Sequence, residues 1–159
     1  MYETTFHKID LSKHSFLVTG GAGFIGSHIV EYLLKNNAKR IVILDNLSTG
    51  LEENIQPFIS PLGKTGGVTV EFIKGDICDI HAVKQSCKGV DFIFHQAALG
   101  SVPRSIENPI ATHNANASGF LSVLVAAKNA GVKRIVYASS SSVYGDIPDS
   151  PKREDRVGK

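Results

Sequence analysis

Five short runs of continuous apolar residues punctuate the chain, and helical patterns separate them. They are Phe16-Leu17-Val18, Ile41-Val42-Ile43-Leu44, residues 68–73, Phe92-Ile93-Phe94 and Ile135-Val136-Tyr137-Ala138. A strand that is apolar on both faces must be covered on both faces, which marks a parallel sheet. Strands alternating with helices build βαβ units, whose right-handed crossovers lay helices on both sides. The expectation is an α/β fold: a Rossmann-type doubly wound parallel sheet in the order 3-2-1-4-5.

The connections predict the intervening elements. Residues 24–36 place Ile25, Ile29 and Leu33 four apart, which predicts a helix with that face in the core. Asp45-Asn46 stops the second run, a helix around residues 51–58 follows, and Pro61 with residues 63–67 reads as a turn. Gly75-Asp76 closes the third run, and Asp79 is placed to cap a short helix reaching about Cys87. A long helix over residues 110–130 presents Leu121, Leu124 and Val125 to the core and stops at Gly131. Residues 1–14 form a polar lead-in docked through Phe6 and Ile9. Residues 15–159 make one domain that reads as unfinished, because the chain turns polar after Tyr144, with Pro148 and Pro151, and ends.

Composition narrows the class. A chain of 159 residues suits one domain with a real core. An apolar fraction of 42% and a net charge of +2 are those of a soluble globular protein, with no pull towards nucleic acid or an anionic membrane. The basic residues are scattered, and the pairs Lys133-Arg134 and Lys152-Arg153 read as solvated surface. Cys78 and Cys87 are too few for a disulfide framework or a zinc site, and read as reduced thiols. The six histidines show no metal spacing. The first fifteen residues hold no apolar leader, and no run approaches the ~18 residues of a membrane helix, so the expected location is cytoplasmic.

The most informative local pattern is Thr19-Gly20-Gly21-Ala22-Gly23-Phe24-Ile25-Gly26, between a strand and an amphipathic helix. Gly20 permits a sharp exit from the strand, Gly23 lets the backbone approach a pyrophosphate, and Gly26 lets the helix pack on the sheet. Free N–H groups and the helix dipole favour the anion. Asp45 ends the next strand about 20 residues on, where its carboxylate accepts from both ribose hydroxyls. It repels a 2′-phosphate, and no arginine follows in Asn46-Leu47-Ser48-Thr49-Gly50, so NAD is favoured over NADP. Asp76 and Ile77 lie where an adenine ring is expected, with a plain turn as the rival reading of Asp76. Gln96, Ala97 and Ala98 follow the fourth strand, and the small pair suits a flat cofactor. His95 reads as a hydrogen-bonded histidine at a strand end rather than a metal ligand.

With Ser27-His28 and with Leu44-Asp45-Asn46-Leu47-Ser48-Thr49-Gly50, this glycine pattern resembles the extended short-chain dehydrogenase/reductases that act on nucleotide sugars, the NAD-dependent epimerase/dehydratase family. The run His95-Gln96-Ala97-Ala98-Leu99-Gly100-Ser101-Val102-Pro103-Arg104-Ser105 is most similar to bacterial UDP-N-acetylglucosamine 4-epimerases of surface-polysaccharide pathways. The resemblance covers the chain from about residue 14 onward. It implies cofactor contacts from Phe24, Ile25, Asn46, Ser48, Thr49 and Gly50, and from Asn116 on the long helix, where plain helix surface is the rival reading. It implies that Gly100 and Ser101 lie beside the sugar and its N-acetyl group.

The fifth strand runs into Ala138-Ser139-Ser140-Ser141-Ser142-Val143-Tyr144-Gly145, and the resemblance makes Ser140 the catalytic hydroxyl that hydrogen-bonds the reacting sugar oxygen. Ser141 and Ser142, expected at the pocket wall, stand where the family's 4,6-dehydratases carry acidic residues, which argues against dehydration. The implied reaction interconverts UDP-N-acetylglucosamine and UDP-N-acetylgalactosamine through a 4-keto sugar, with a tyrosinate as base. That tyrosine belongs to a Tyr-x-x-x-Lys, and none follows Ser140 here, so Tyr144 is read as structural. The chain is therefore expected to be an N-terminal fragment, inactive alone, of a protein that is a homodimer when complete. Other enzymes of the scaffold, a dehydratase, decarboxylase or ketoreductase, and a non-catalytic dinucleotide-binding module are the alternatives.

Overall fold

The computed structural model describes residues 5–59, 66–156 and 158. Its sheet has five parallel strands in the order β3-β2-β1-β4-β5: β1 Ser15–Thr19, β2 Arg40–Asp45, β3 Thr69–Lys74, β4 Phe92–His95 and β5 Arg134–Tyr137. The expected order is thus the observed one. β1 and β2 are buried along almost their whole length because each faces a core on both sides. Phe16, Val18, Ile41 and Ile43 point into one core, and Leu17, Val42 and Leu44 into the other. That alternation of side-chain direction along a strand is why unbroken apolar runs were needed.

Helices α1 (Phe24–Lys35) and α2 (Gln56–Ile59) cover the first face, while α3 (Ile80–Ser86) and α6 (Phe120–Ala130) cover the second. Asp79 caps α3 by accepting from the His81 amide at 2.9 Å. Gly131 ends α6 in the left-handed region, where a Cβ is disfavoured. Of the turn expected at Pro61 and residues 63–67, only Gly66 and Gly67 fall within the described residues, and both have positive φ.

Two expectations about helix faces are corrected. On α1 the buried residues are Gly26, Ser27, Val30 and Leu33, whereas Ile25 is 59% exposed and Ile29 only half-buried. A Cβ at Gly26 would run into the Gly20 carbonyl oxygen, so the helix turns its smallest residue to the sheet and the face centres there. On α6 the buried residues are Val123, Ala126 and Ala127, while Leu121, Leu124 and Val125 are exposed. The long helix over residues 110–130 is also not one α-helix. It begins as α5 (Pro109–His113), passes through a π-helical turn at Asn114–Gly119, and becomes α6. A further helix, α4 (Val102–Glu107), precedes it. In the lead-in, Phe6 is 79% exposed and it is Leu11 that is buried. The Phe6 ring still rests by Tyr32, centroids 6.1 Å apart, and the Tyr32 hydroxyl takes the Phe6 amide at 2.8 Å and meets His7 Nδ1 at 2.7 Å.

Candidate functional site

The carboxyl ends of β1 and β4 lie side by side where the strand order reverses, the place at which open α/β sheets leave a crevice. β1 leaves the sheet at Gly20, whose φ of 68° is left-handed; a Cβ there would sit 2.6 Å from the Ala97 amide. The turn closes with the Gly23 amide on the Gly20 carbonyl at 3.1 Å, and α1 starts with Gly23 as its N-cap. The first amides of α1, at Phe24, Ile25 and Gly26, have no carbonyl one turn back. They form the positive end of the helix, suited to an anion.

Asp45 joins this turn to the loop after β2. Its Oδ2 accepts from the Ala22 amide at 2.9 Å and its Oδ1 from the Leu47 amide at 2.8 Å, although only 8% of the residue is exposed. An ionised carboxylate offers about four acceptor positions, so both oxygens keep capacity for further donors. The Ala22 carbonyl takes the Leu51 amide and the Asn54 side chain, which binds the same two loops from the other side. Leu47 is left-handed, with φ of 59°, in the middle of this loop.

A cleft opens between these loops. Gly20, Gly23, Asp45 and Asn46 line one wall, and Ser48, Thr49 and Gly50 continue it. Ile77, Gln96, Ala97 and Ala98 also line the cleft. Sequence reasoning had omitted Leu44, Gly75, Leu99 and Ala115, which complete the lining. Each lies one or two places from a residue it did identify, or on the next helix. Phe24 and Ile25 turn exposed side chains away, and Gly26 packs against Gly20, so these three offer the cleft only backbone amides. Asp76 does not line it. Burial opposes ionisation of its carboxyl, but hydrogen bonds from the Cys78 amide (2.8 Å) and Asn46 Nδ2 (2.7 Å) prevail and hold its pKa below the usual range.

A second cleft continues from the first and shares the wall Gln96, Ala97, Ala98 and Leu99. It brings Gly100, Ser101, Asn116 and Ser140 together, but not Ser141 or Ser142. The Ser101 hydroxyl caps α4 by accepting from the Arg104 amide at 3.3 Å. Asn116 clamps the loop backbone from the π-helical turn: its Oδ1 takes the Leu99 amide at 2.8 Å and its Nδ2 donates to the Leu99 carbonyl at 3.0 Å. Asn116 therefore shapes the wall shared by both clefts instead of lining the first. Ser140 begins the 3-10 turn Ser141–Tyr144, accepting from the Ser142 amide at 3.2 Å and donating to the Ser142 hydroxyl at 3.1 Å. Tyr144 ends that turn, and its carbonyl takes the Gly158 amide at 3.0 Å.

The floor of the second cleft was not foreseen as a unit. Thr19, His95 and Tyr137 are neighbours in register across β1, β4 and β5. Phe120 from the start of α6 stacks on His95 at 5.0 Å and tilts onto Tyr137 at 4.9 Å. Burial pushes the His95 pKa down to about 4, so the imidazole is neutral. Burial likewise raises the Cys87 thiol to about 11, which makes it inert packing, and Cys78 is exposed. Among the described residues no group of three His, Cys, Asp or Glu side chains gathers to hold a metal ion, and no helix is long and apolar enough to cross a membrane.

Comparisons with known proteins agree with this geometry. The profile of the NAD dependent epimerase/dehydratase family matches residues 16–158. A putative UDP-glucose 4-epimerase of Methanocaldococcus jannaschii is 42% identical over 132 residues, which cover 82% of this chain and 39% of that protein. The solved UDP-N-acetylglucosamine 4-epimerase of Methanobrevibacter ruminantium, in complex with UDP-N-acetylmuramic acid, is 38% identical with a TM-score of 0.75, covering 90% of this chain and 43% of that one. DesIV, a dTDP-glucose 4,6-dehydratase of Streptomyces venezuelae solved with NAD bound, is 37% identical with a TM-score of 0.74, covering 85% and 42%. The chain thus spans about two fifths of the length of these relatives. It belongs to the NAD-dependent epimerase/dehydratase family.

Proposed function

We propose that this chain is the NAD-binding portion of a nucleotide-sugar 4-epimerase that interconverts UDP-N-acetylglucosamine and UDP-N-acetylgalactosamine. The observation that carries the reading is a cleft lined by Gly20, Gly23 and Asp45 that shares a wall with a second cleft lined by Ser140. The residues present fit the cofactor. The amides at the start of α1 take the pyrophosphate, with Gly23 leaving room for it. Asp45 takes the ribose hydroxyls and excludes a 2′-phosphate, Ile77 lies against the adenine, and Ala97 and Ala98 clear the way for the nicotinamide end. NAD supplies hydride acceptance and return at the sugar C4 when bound. This chain's own part is to hold that end beside the second cleft and to direct the Ser140 hydroxyl at the reacting oxygen. Gly100 and Ser101 border the sugar, and the polypeptide acts in the cytoplasm within a polysaccharide pathway, as a homodimer when complete.

A dehydratase is the second reading, favoured by the likeness to DesIV. Ser141 and Ser142 in the turn after β5 supply no acid for loss of water, so epimerisation is preferred.

The experiment is conversion of UDP-N-acetylglucosamine to UDP-N-acetylgalactosamine by the 159-residue chain, beside a polypeptide of the relatives' full length. The short chain should bind NAD and show no turnover. A serine hydroxyl keeps its proton near neutral pH and needs a base, whose loss alone costs about 10²–10⁴-fold. Lost substrate positioning costs a further ~7–11 kcal/mol. Turnover by the short chain at the longer one's rate would show that the base lies within it, and a 4-keto-6-deoxy product from the longer one would favour the dehydratase.

A further inference from the structure

The second cleft contains a polar group that nothing above uses. His95 is 93% buried (7% exposed), yet its ring is part of the cleft lining. Its Nδ1 lies 2.7 Å from the Thr19 hydroxyl, itself fully buried. The two nitrogens of an imidazole diverge, so with Nδ1 on the Thr19 hydroxyl Nε2 is directed away from Thr19. Among the described residues no side chain or backbone group makes a hydrogen bond with Nε2. Nε2 is not one of the enclosed polar atoms of the described residues, so it opens onto the cleft that His95 lines, where an incoming ligand oxygen can meet it.

The tautomer follows from accounting for hydrogen atoms. Thr19 Oγ1 accepts from the Ala97 amide at 3.4 Å. Its own hydrogen has one acceptor among the described residues, His95 Nδ1. Were Nδ1 protonated, the buried hydroxyl hydrogen would be left unmet. Thr19 therefore donates to Nδ1, and the ring proton resides on Nε2. The stack on Phe120 fixes the ring plane. Burial keeps the ring uncharged, which suits an uncharged acceptor.

We infer that His95 is a ligand-binding residue: its Nε2–H donates a hydrogen bond to an uncharged oxygen of the ligand in the second cleft, and Thr19 fixes the tautomer that makes this possible. The acceptor is a carboxamide or sugar oxygen, chemistry that the nicotinamide end of NAD and a UDP-sugar share. The inference rests on the cofactor and sugar reading of the two clefts. It goes further in giving His95 a direct contact and Thr19 a positioning role.

Nitrogen-detected NMR of the labelled chain should show His95 as the Nε2–H tautomer, and titration with NAD or UDP-N-acetylglucosamine should shift that nitrogen. By calorimetry, His95→Phe, which keeps a flat ring against Phe120, should bind one of these two ligands roughly tenfold more weakly, the loss of one buried hydrogen bond. Binding of ADP-ribose, which lacks the nicotinamide, should be unchanged. Weakening of NAD alone identifies the carboxamide, and weakening of the UDP-sugar identifies the sugar. His95→Gln, which carries a donor near the Nε2 position, should restore most of the affinity, and Thr19→Val should mix the tautomers. An Nδ1–H tautomer, unaltered binding of both ligands by the Phe variant, or an equal loss for ADP-ribose would each overturn the inference. A wild-type chain that bound neither ligand would instead sink the reading of the clefts. Should the Phe variant fail to fold, the tautomer and the shift of the His95 nitrogen on titration with each ligand decide alone.

Discussion

Asp45 serves two purposes with one carboxylate. It fastens the Ala22 and Leu47 amides, and it faces the cleft in which a ribose is proposed to lie. Asp45→Ala should therefore weaken NAD binding by about 1–3 kcal/mol, as expected for charge-assisted hydrogen bonds, and also lower the melting temperature. In the unaltered protein NAD should bind more tightly than NADP, and equal affinities in calorimetry would contradict the role given to this carboxylate. His95 predicts a pH dependence of stability. Its folded pKa of about 4 lies below the 6.5 of the free side chain, so between these values the unfolded chain binds more protons. Stability that is full above about pH 6.5 is therefore lost as the pH falls towards 4, by on the order of 3 kcal/mol. Urea unfolding at about pH 7 and about pH 5 should show a larger loss for the wild type than for His95→Gln, and equal losses would refute it. The register of Asp45 with the glycines made it legible in the sequence. The partnership of Thr19 with His95 was not, because residues 76 apart meet only once β1 and β4 are paired.

The helices show where residue patterns mislead. Apolar periodicity identified α1 and α6 but assigned Ile25, Leu121, Leu124 and Val125 to the core, while the sheet receives Gly26, Val30, Val123, Ala126 and Ala127. Close approach of a helix to a sheet selects small side chains, which a scale of hydrophobicity ranks below leucine. The π-helical turn at Asn114–Gly119 was equally hidden, since its sequence, Asn-Ala-Asn-Ala-Ser-Gly, carries no proline to announce a break. Its consequence is local and testable. The turn carries Asn116, which holds Leu99 through two hydrogen bonds at an exposed position. Asn116→Ala should cost about 1 kcal/mol of stability and speed hydrogen exchange at the Leu99 amide. Unchanged exchange there would show that the loop holds itself.

At the scale of the molecule, the order β3-β2-β1-β4-β5 was legible because both-sided burial, alternation with helices and crossover handedness leave few arrangements. The first cleft was legible in outline for the same reason, since loops that form it follow β1, β2 and β4 directly. The second cleft was less so, because it depends on α4, the π-helical turn and the row of side chains across three strands. The wall from Gln96 to Leu99 belongs to both clefts. A segment with two faces in two sites couples their occupancies if one ligand changes its order. If ordering of this wall by NAD tightens a UDP-sugar by some factor, the sugar must tighten NAD by the same factor. Calorimetric titration of each ligand with and without the other should therefore give two equal ratios, both different from one. A ratio of one would mean that the shared wall is rigid enough to serve each site without informing the other.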